Sequence, residues 1–272
     1  MVARLTFPAL LALAGAPAAA QDSAAWLLVL DAESKADAPA RACATAIALC
    51  LTVTGGDRDT PAALQLETGA GDTARVQSLA LPHITGPDDS APALWDRMIV
   101  LPAPAASGTA PGPILIGLIT ALSTPYSGGG AQARRLHLLR IDRNYGAARL
   151  TGELLDVPLD SNVLIRACFS EADMRQRAGA CHDEYRSSAV ITLTGAVAGG
   201  MPALGYAVVA ESWPGPVSRQ NDSLAKGRLR QRDLVWSRDA ACSFETTFTF
   251  NPTTRRYEAS EPGPDCSDYD VP

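Results

Sequence analysis

Short apolar segments, broken at close intervals by Gly, Pro, Asn and Asp, run along most of the chain. No segment keeps a 3.6-residue apolar period for more than about two helical turns. This pattern predicts an all-β fold, an antiparallel sandwich or two packed sheets, with a small propeller-like array as the alternative. The predicted strands are 26–31, 46–54, 63–67, 75–81, 97–101, 114–122, 136–142, 148–157, 163–169, 188–194, 204–211, 229–236, 242–250 and 255–259.

The clearest strand pattern lies near the C-terminus. Phe244, Phe248 and Phe250 share one parity, while Ser, Glu and Thr residues occupy the other. Such alternation is typical of an antiparallel strand with one buried face and one solvated face. Residues 251–254 are turn formers before the chain returns over 255–258, so residues 242–259 are predicted to form a hairpin.

Two further local structures are predicted from turn and capping residues. Residues 142–146 are turn formers between two apolar segments, which indicates a second hairpin. Ser170 followed by Asp173 resembles a helix-capping pair. We therefore expect one short helix over 171–178.

Residues 1–20 have the pattern of a secretory signal peptide. Arg4 gives a positive start, an apolar run follows, and the chain to Ala20 ends in small residues that suit cleavage. A membrane anchor is the weaker interpretation, because the apolar run is short for crossing a bilayer. We expect cleavage after Ala20. No other apolar run approaches the roughly 20 residues that a spanning helix needs, so no membrane span is expected.

Six cysteines in a chain with an export signal predict three disulfides. Spacing favours pairing along the chain, because each pair is close in sequence and well separated from the next. The predicted pairs are Cys43 with Cys50, Cys168 with Cys181, and Cys242 with Cys266. No spacing is Cys-x2-Cys, so no metal site is predicted. The protein is expected in the periplasm or outside the cell, where disulfides persist.

One composition break lies at residues 102–113, which hold four prolines and no charge. Such a segment is typical of a linker or a long surface loop. Removing the leader leaves about 250 residues, enough for one β-rich domain or two small ones. We expect a single β-rich unit over 21–272, with 102–113 as the place where a subdivision would fall.

The chain is mildly acidic, with 23 basic and 29 acidic residues and a formal net charge of −6. An acidic surface repels a phosphate backbone, which argues against nucleic acid as a partner. The sequence has no Gly-x4-Gly-Lys-Ser/Thr loop and no strand followed by Gly-x-Gly-x2-Gly. No cofactor is therefore expected.

The densest group of functional side chains lies around the second predicted disulfide. The candidate binding residues are Arg166, His182, Asp183, Glu184 and Arg186. They suit an anionic or sugar-like ligand, or an acid/base pair with a histidine. As a structural alternative, they belong to a surface loop whose charges pair with one another, and surface pairs contribute little. The same loop also carries Asp173, Arg175 and Arg177.

Three histidines are present. Serine hydrolase chemistry needs a serine, an imidazole base and usually an orienting carboxylate, brought together by the fold. A hydrolase that uses His83 or His182 with nearby carboxylates is therefore the alternative function, although no Gly-x-Ser-x-Gly motif occurs. His137 lies between Leu136 and Leu138 in a predicted strand, where a structural role is expected.

A basic stretch, made of Lys226, Arg228, Arg230 and Arg232, alternates on one parity. In a strand these side chains would project from one face, which predicts contact with an anionic partner or a solvated charged edge. No catalytic motif covers the chain, so the preferred function is a non-catalytic binding or interaction module. Its partner would be a small molecule or another protein.

Overall fold

The computed structural model describes the chain from residue 25 to residue 271, with short internal gaps. The described ranges are 25–33, 41–56, 60–69, 71–82, 84, 91–103, 111–144, 147–198, 200–215, 217–219 and 227–271. The predicted signal peptide at 1–20, His83 and Lys226 lie outside these residues. Within the described ranges, no helix has the length and apolar character needed to cross a membrane.

The described residues form fifteen strands and one α-helix, α1 (Glu171–Gln176). The strands are Trp26–Val29 (β1), Asp31–Glu33 (β2), Arg41–Ala44 (β3), Leu49–Thr54 (β4), Ala63–Thr68 (β5), Arg75–Ala80 (β6), Ala93–Val100 (β7), Ile114–Tyr126 (β8), Gly129–Asn144 (β9), Ala147–Arg166 (β10), His182–Ala198 (β11), Met201–Trp213 (β12), Ser237–Arg238 (β13), Glu245–Asn251 (β14) and Arg256–Ala259 (β15).

These strands form two antiparallel sheets that pack against each other. Sheet A has the strand order β1-β7-β8-β9-β10-β11-β12-β14-β15, with β13 paired to β12. Sheet B has the order β2-β3-β4-β5-β6. The predicted fold of two packed antiparallel sheets is confirmed, and the described strands form no propeller-like array.

The first hydrophobic core lies between sheet B and strands β7–β9 of sheet A. Leu51 and Leu64 of sheet B belong to one buried cluster with Ile116 and Leu139 of sheet A. Burying a Leu or Ile side chain stabilises a fold by roughly 1.5–3 kcal/mol. This interface therefore holds the two sheets together.

The second core lies on the opposite face of β7–β9. Trp95, Leu115 and Leu136 pack there with Tyr206 and Tyr257 from the far half of sheet A. Because β7 and β15 are far apart in the strand order, a shared cluster requires sheet A to curl. Bulges bend a strand and increase its twist. The register shifts that supply this bend lie in β10, between Leu150 and Gly152, between Glu153 and Leu155, and between Pro158 and Asp160.

The middle of the chain forms longer strands than the sequence predicts. The predicted strands 148–157 and 163–169 are one strand, β10. Pro158 and Asp160 suggest a turn locally, but the chain between them bulges and continues. Pairing with β9 on one side and β11 on the other outweighs the local preference of these residues.

The predicted strand at 229–236 is wrong. Gln231–Asp233 forms a 3-10 turn, preceded by irregular chain from 227 to 230. The Arg230 amide donates a hydrogen bond to the Asp233 carboxylate at 2.7 Å, and this local contact competes with strand pairing. The described arginines of the basic stretch therefore do not alternate along a strand edge.

Two local predictions are confirmed. Helix α1 falls within 171–178, and the Ser170 hydroxyl accepts a hydrogen bond from the Asp173 amide at 3.1 Å. Strands β14 and β15 form the predicted C-terminal hairpin. Its turn is held by the Asn251 side-chain oxygen, which accepts from the Thr253 amide at 2.9 Å. The three phenylalanines of the alternating face pack against the second core, as their parity predicts.

The three disulfides join the predicted pairs. Cα–Cα distances are 4.0 Å for Cys43–Cys50, 4.8 Å for Cys168–Cys181 and 5.6 Å for Cys242–Cys266. No free cysteine is left among the described residues, which include all six. Each bridge restricts the unfolded chain and typically stabilises a protein by about 2–4 kcal/mol. Three such bridges are typical of an oxidising compartment and indicate an exported protein.

The proline-rich segment at 102–113 connects β7 to β8. These strands are direct neighbours in sheet A, and Val100 pairs in register with Ile114. The segment therefore joins two adjacent strands of one sheet, and its residues 104–110 lie outside the described ranges.

Four buried tyrosines make the stability sensitive to alkaline pH. Burial raises the pKa of Tyr206 to about 12, and it also raises the pKa of Tyr185, Tyr257 and Tyr269. Tyrosines of an unfolded chain ionise near pH 10, so the unfolded state loses these protons first. We expect the free energy of unfolding to stay level up to about pH 9 and to fall as pH rises through about 10 to 12.

Urea unfolding at a series of pH values measures this dependence, while ultraviolet absorbance follows tyrosinate formation. A free energy of unfolding that stays level through pH 12 would contradict the expectation.

Candidate functional site

Strand alternation separates the five predicted binding residues. Asp183 is buried in β11, whereas its neighbour His182 is exposed. Successive side chains of a strand point to opposite faces. The candidates that share the outer face are Arg166, His182, Glu184 and Arg186.

Asp183 forms a buried ion pair with Arg177. The two residues are 6% and 2% exposed, and Arg177 Nε also donates to the Ala180 carbonyl at 2.8 Å. A buried charge without its partner is strongly destabilising, so each group requires the other. This ion pair joins the Cys168–Cys181 loop to β11 in the interior of the protein, so its role is structural.

The outer-face candidates make mainly surface contacts. Arg186 pairs with Glu211 at 2.7 Å, and its guanidinium lies 3.9 Å from the centroid of the Trp236 ring. Arg166 donates to a backbone carbonyl of its own loop. Within the described part of the chain, no hydrogen bond or ion pair joins His182 to a carboxylate. This face is therefore an exposed surface on which the arginines already have partners.

A groove opens beside the second core, between β10, β11, β12, β14 and the segment 261–270. Its volume is about 290 Å³, close to the lower end of the range for small-molecule pockets, roughly 300–1,000 Å³. We call it the aromatic groove. Its main apolar lining residues are Val157, Leu159, Tyr206, Val208, Phe244 and Phe248.

Three packed rings give the aromatic groove a preformed wall. The Tyr206 ring centroid lies 6.2 Å from that of Phe244 and 5.6 Å from that of Phe248. The Tyr206 hydroxyl donates to the Pro158 carbonyl at 2.7 Å, which holds the ring in place. The Cys242–Cys266 bridge also lines the groove and ties the C-terminal segment beside it.

The polar part of the aromatic groove is acidic. Ser188, Glu261 and Asp270 are exposed lining residues, and they supply one hydroxyl and two carboxylates. The described lining contains no lysine or arginine. Its electrostatic potential therefore favours a ligand with a cationic or hydrogen-bond-donating end.

A separate polar cluster surrounds His137 on β9. His137 Nδ1 lies 2.7 Å from Glu153 Oε1 and 3.7 Å from Asp156 Oδ1. On the other side of the ring, Nε2 lies 3.0 Å from Thr120 Oγ1. These four residues, the His137 cluster, come from the adjacent strands β8, β9 and β10. Thr120 lies two residues after the core residue Leu118, on the same face of β8. The cluster therefore lies at the margin of the first core.

Two arginines flank the His137 cluster. Arg135 Nε donates to Asp156 Oδ1 at 2.9 Å, and Arg256 donates to Glu153 Oε2 at 3.3 Å. Both arginine side chains are about half exposed. Exposed ion pairs of this kind contribute little to stability.

The His137 cluster contains two recognisable chemical arrangements. A hydroxyl, an imidazole and a carboxylate in sequence form the relay used to activate nucleophiles. An imidazole with two carboxylates is also a ligand set for a metal ion. Thr120 is only 7% exposed, which restricts access of a substrate to its hydroxyl.

Sequence reasoning missed both the aromatic groove and the His137 cluster. It assigned His137 a structural role, because the residue stands between two leucines in a strand. Its partners lie on two other strands at no motif-like spacing, so only strand pairing brings them together.

The buried pair in the disulfide loop can be tested by removing one charge. We expect Arg177→Met to lower the free energy of unfolding by about 3–5 kcal/mol, because it removes the guanidinium that balances the buried Asp183 carboxylate. The matched control is Arg175→Met on α1, whose exposed partner is Glu171, and it should cost less than about 1 kcal/mol. Urea unfolding measures both variants, and equal costs would contradict a structural role for the pair.

Comparisons with protein-family models, with curated proteins and with solved structures find no match to this chain.

Proposed function

We propose that this chain is an exported, non-catalytic binding protein that holds a small ligand with an apolar body in the aromatic groove. The observation that carries the proposal is the preformed wall of Tyr206, Phe244 and Phe248, which stays partly open beside the second core. Concave sites with mostly apolar walls and a few polar groups are the usual form of small-molecule sites.

The disulfides support a site of action in the periplasm or outside the cell. One of them, Cys242–Cys266, also forms part of the groove, so oxidation shapes the proposed binding site directly. Reduction would remove the covalent link between Cys242, which precedes β14, and the C-terminal segment at Cys266. The proposed function therefore requires an oxidising compartment.

The charges that line the groove indicate which polar group the ligand carries. Glu261 and Asp270 are the acidic lining groups, and Ser188 adds a hydroxyl. A ligand that pairs an aromatic or aliphatic body with an amine or another donor complements this site, whereas an anionic ligand of the same shape is repelled.

A hydrolase that uses His182 receives less support. His182 is exposed and makes no hydrogen bond to a carboxylate within the described ranges, and a general base needs such contacts with its partners. His83 lies outside the described residues, so its surroundings support neither function.

Two fluorescent probes of the same shape test the ligand chemistry. N-phenylnaphthylamine is neutral, and anilinonaphthalenesulfonate differs from it by one anionic group. We expect saturable fluorescence enhancement with the neutral probe and weaker binding of the sulfonate, because of the two carboxylates. Equal or tighter binding of the sulfonate would contradict the proposed charge preference.

A single substitution tests the location of the site. The Cβ that Gly263→Leu adds would lie 3.7 Å from the Phe244 ring, an ordinary contact, and the rest of the leucine side chain would occupy space in the groove. We expect it to weaken probe binding at least tenfold, which equals about 1.4 kcal/mol.

The matched control is Gly195→Leu, since a Cβ at that position meets no atom within 4 Å and lies outside the groove. Probe binding that survives Gly263→Leu, or that is lost equally in the control, rejects the groove as the site. A groove that binds neither probe but captures a protein segment would instead support an interaction module.

A further inference from the structure

We infer that the His137 cluster is a binding site for one divalent transition-metal ion of the zinc type. The ligands are His137, Glu153 and Asp156. This site shares no residue with the aromatic groove and does not depend on the proposed function of that groove.

Three ligand atoms of suitable chemistry converge in the cluster. One imidazole nitrogen and one oxygen from each carboxylate all lie within 4.8 Å of one another. Ligand atoms around a tetrahedral zinc ion, each about 2.1 Å from the metal, are about 3.4 Å apart. The distances from His137 Nδ1 to the oxygens of Glu153 and Asp156, 2.7 and 3.7 Å, lie on either side of this value.

A β-bulge makes this convergence possible. Glu153 and Asp156 are three residues apart, so a regular strand would point them to opposite faces. The register shift between Glu153 and Leu155 cancels this alternation, and both carboxylates reach His137. Bulges that redirect one side chain are frequent next to functional sites.

Thr120 allows His137 to change its protonated nitrogen without losing a hydrogen bond. A hydroxyl can donate or accept. Without a metal, Nδ1 can donate to Glu153 while Nε2 accepts from Thr120. With a metal on Nδ1, Nε2 carries the proton and donates to Thr120 Oγ1, which is the outer hydrogen bond that ligating histidines normally make.

A metal ion that binds in the cluster must displace the two flanking arginines from the ligand carboxylates. Arg135 and Arg256 each neutralise one carboxylate, but both are about half exposed and can move into water. Displacing such exposed pairs costs little. A divalent cation would replace their two positive charges with a single ion held by three ligands.

The ligand set also predicts selectivity. Imidazole suits zinc, copper and nickel, whereas magnesium and calcium prefer all-oxygen sites. All six cysteines are in disulfides, so thiolates do not compete for the metal. Binding of zinc should therefore depend on His137.

Calorimetry with the intact, disulfide-bonded protein after chelator treatment tests the site. We expect one Zn²⁺ to bind per chain and no comparable binding of Mg²⁺ or Ca²⁺. Bound Co²⁺ should give a visible absorption band typical of an ion with a low coordination number. Zinc should also raise the melting temperature, since it binds the folded state. Absence of zinc binding, or equal binding of calcium, overturns the proposal.

Variants identify the ligands. His137→Ala should abolish zinc binding. The matched control is His182→Ala, an exposed histidine that pairs with no carboxylate among the described residues, and it should bind zinc as the wild type does. Asp156→Asn should weaken zinc binding, and it provides a second ligand test if His137→Ala does not fold, as judged by circular dichroism. Unchanged binding in His137→Ala, or equal loss in His182→Ala, overturns the assignment.

Two variants of residues next to the ligands distinguish zinc binding at the His137 cluster from non-specific zinc binding by surface carboxylates. Thr120→Val keeps the side-chain shape but removes the outer acceptor, and we expect roughly 10–100-fold weaker zinc binding. Arg256→Gln removes a competing cation, so zinc should bind several-fold tighter. If neither variant changes the affinity, the ion does not occupy the His137 cluster and the proposal fails.

Discussion

Burial of strands β7–β9 on both faces is the constraint on which the remaining structure depends. In β8, the consecutive residues Ile114, Leu115 and Ile116 are each at most 1% exposed, so neither face of this strand meets water. Such strands need apolar cover on two sides. Sheet B covers one side, and the curled half of sheet A covers the other. The bulges of β10 bend the middle of sheet A, and this bend helps the far half of the sheet to pack over β7–β9.

Both candidate sites lie at the edges of the region in which the strands are covered on both faces. The aromatic groove continues the second core to the point where Phe244 and Phe248 are only partly buried. The His137 cluster lies on β8–β10 just beyond the leucines and isoleucines that meet sheet B. At each margin the strands are still held rigidly by their neighbours, but the side chains are no longer fully covered. Rigid backbone with partly open side chains is what a preorganised binding site requires.

Two polar clusters of this fold differ in what their charges can do. Arg177 and Asp183 are buried and partnered, so neither group can leave without a large loss of stability. In the His137 cluster, the carboxylates are balanced by arginines at the surface, which an incoming cation can displace. Charged residues thus stabilise the disulfide loop in one place and offer ligand atoms in the other. The two roles differ because the partner arginine is buried in the loop and exposed at the His137 cluster.

Much of the fold follows from local pattern. The all-β class, the capped helix, the C-terminal hairpin and the cysteine pairs all depend on contacts between residues close in sequence, so the sequence by itself determined them. The alternation at Phe244 to Phe250 even identified a face that lines the aromatic groove. The curl of sheet A, the continuity of β10 and the His137 cluster were decided only by tertiary structure. They depend on the register and bulges of long neighbouring strands and on packing between strands far apart in the sheet. No local residue pattern records which side chains such pairing brings together.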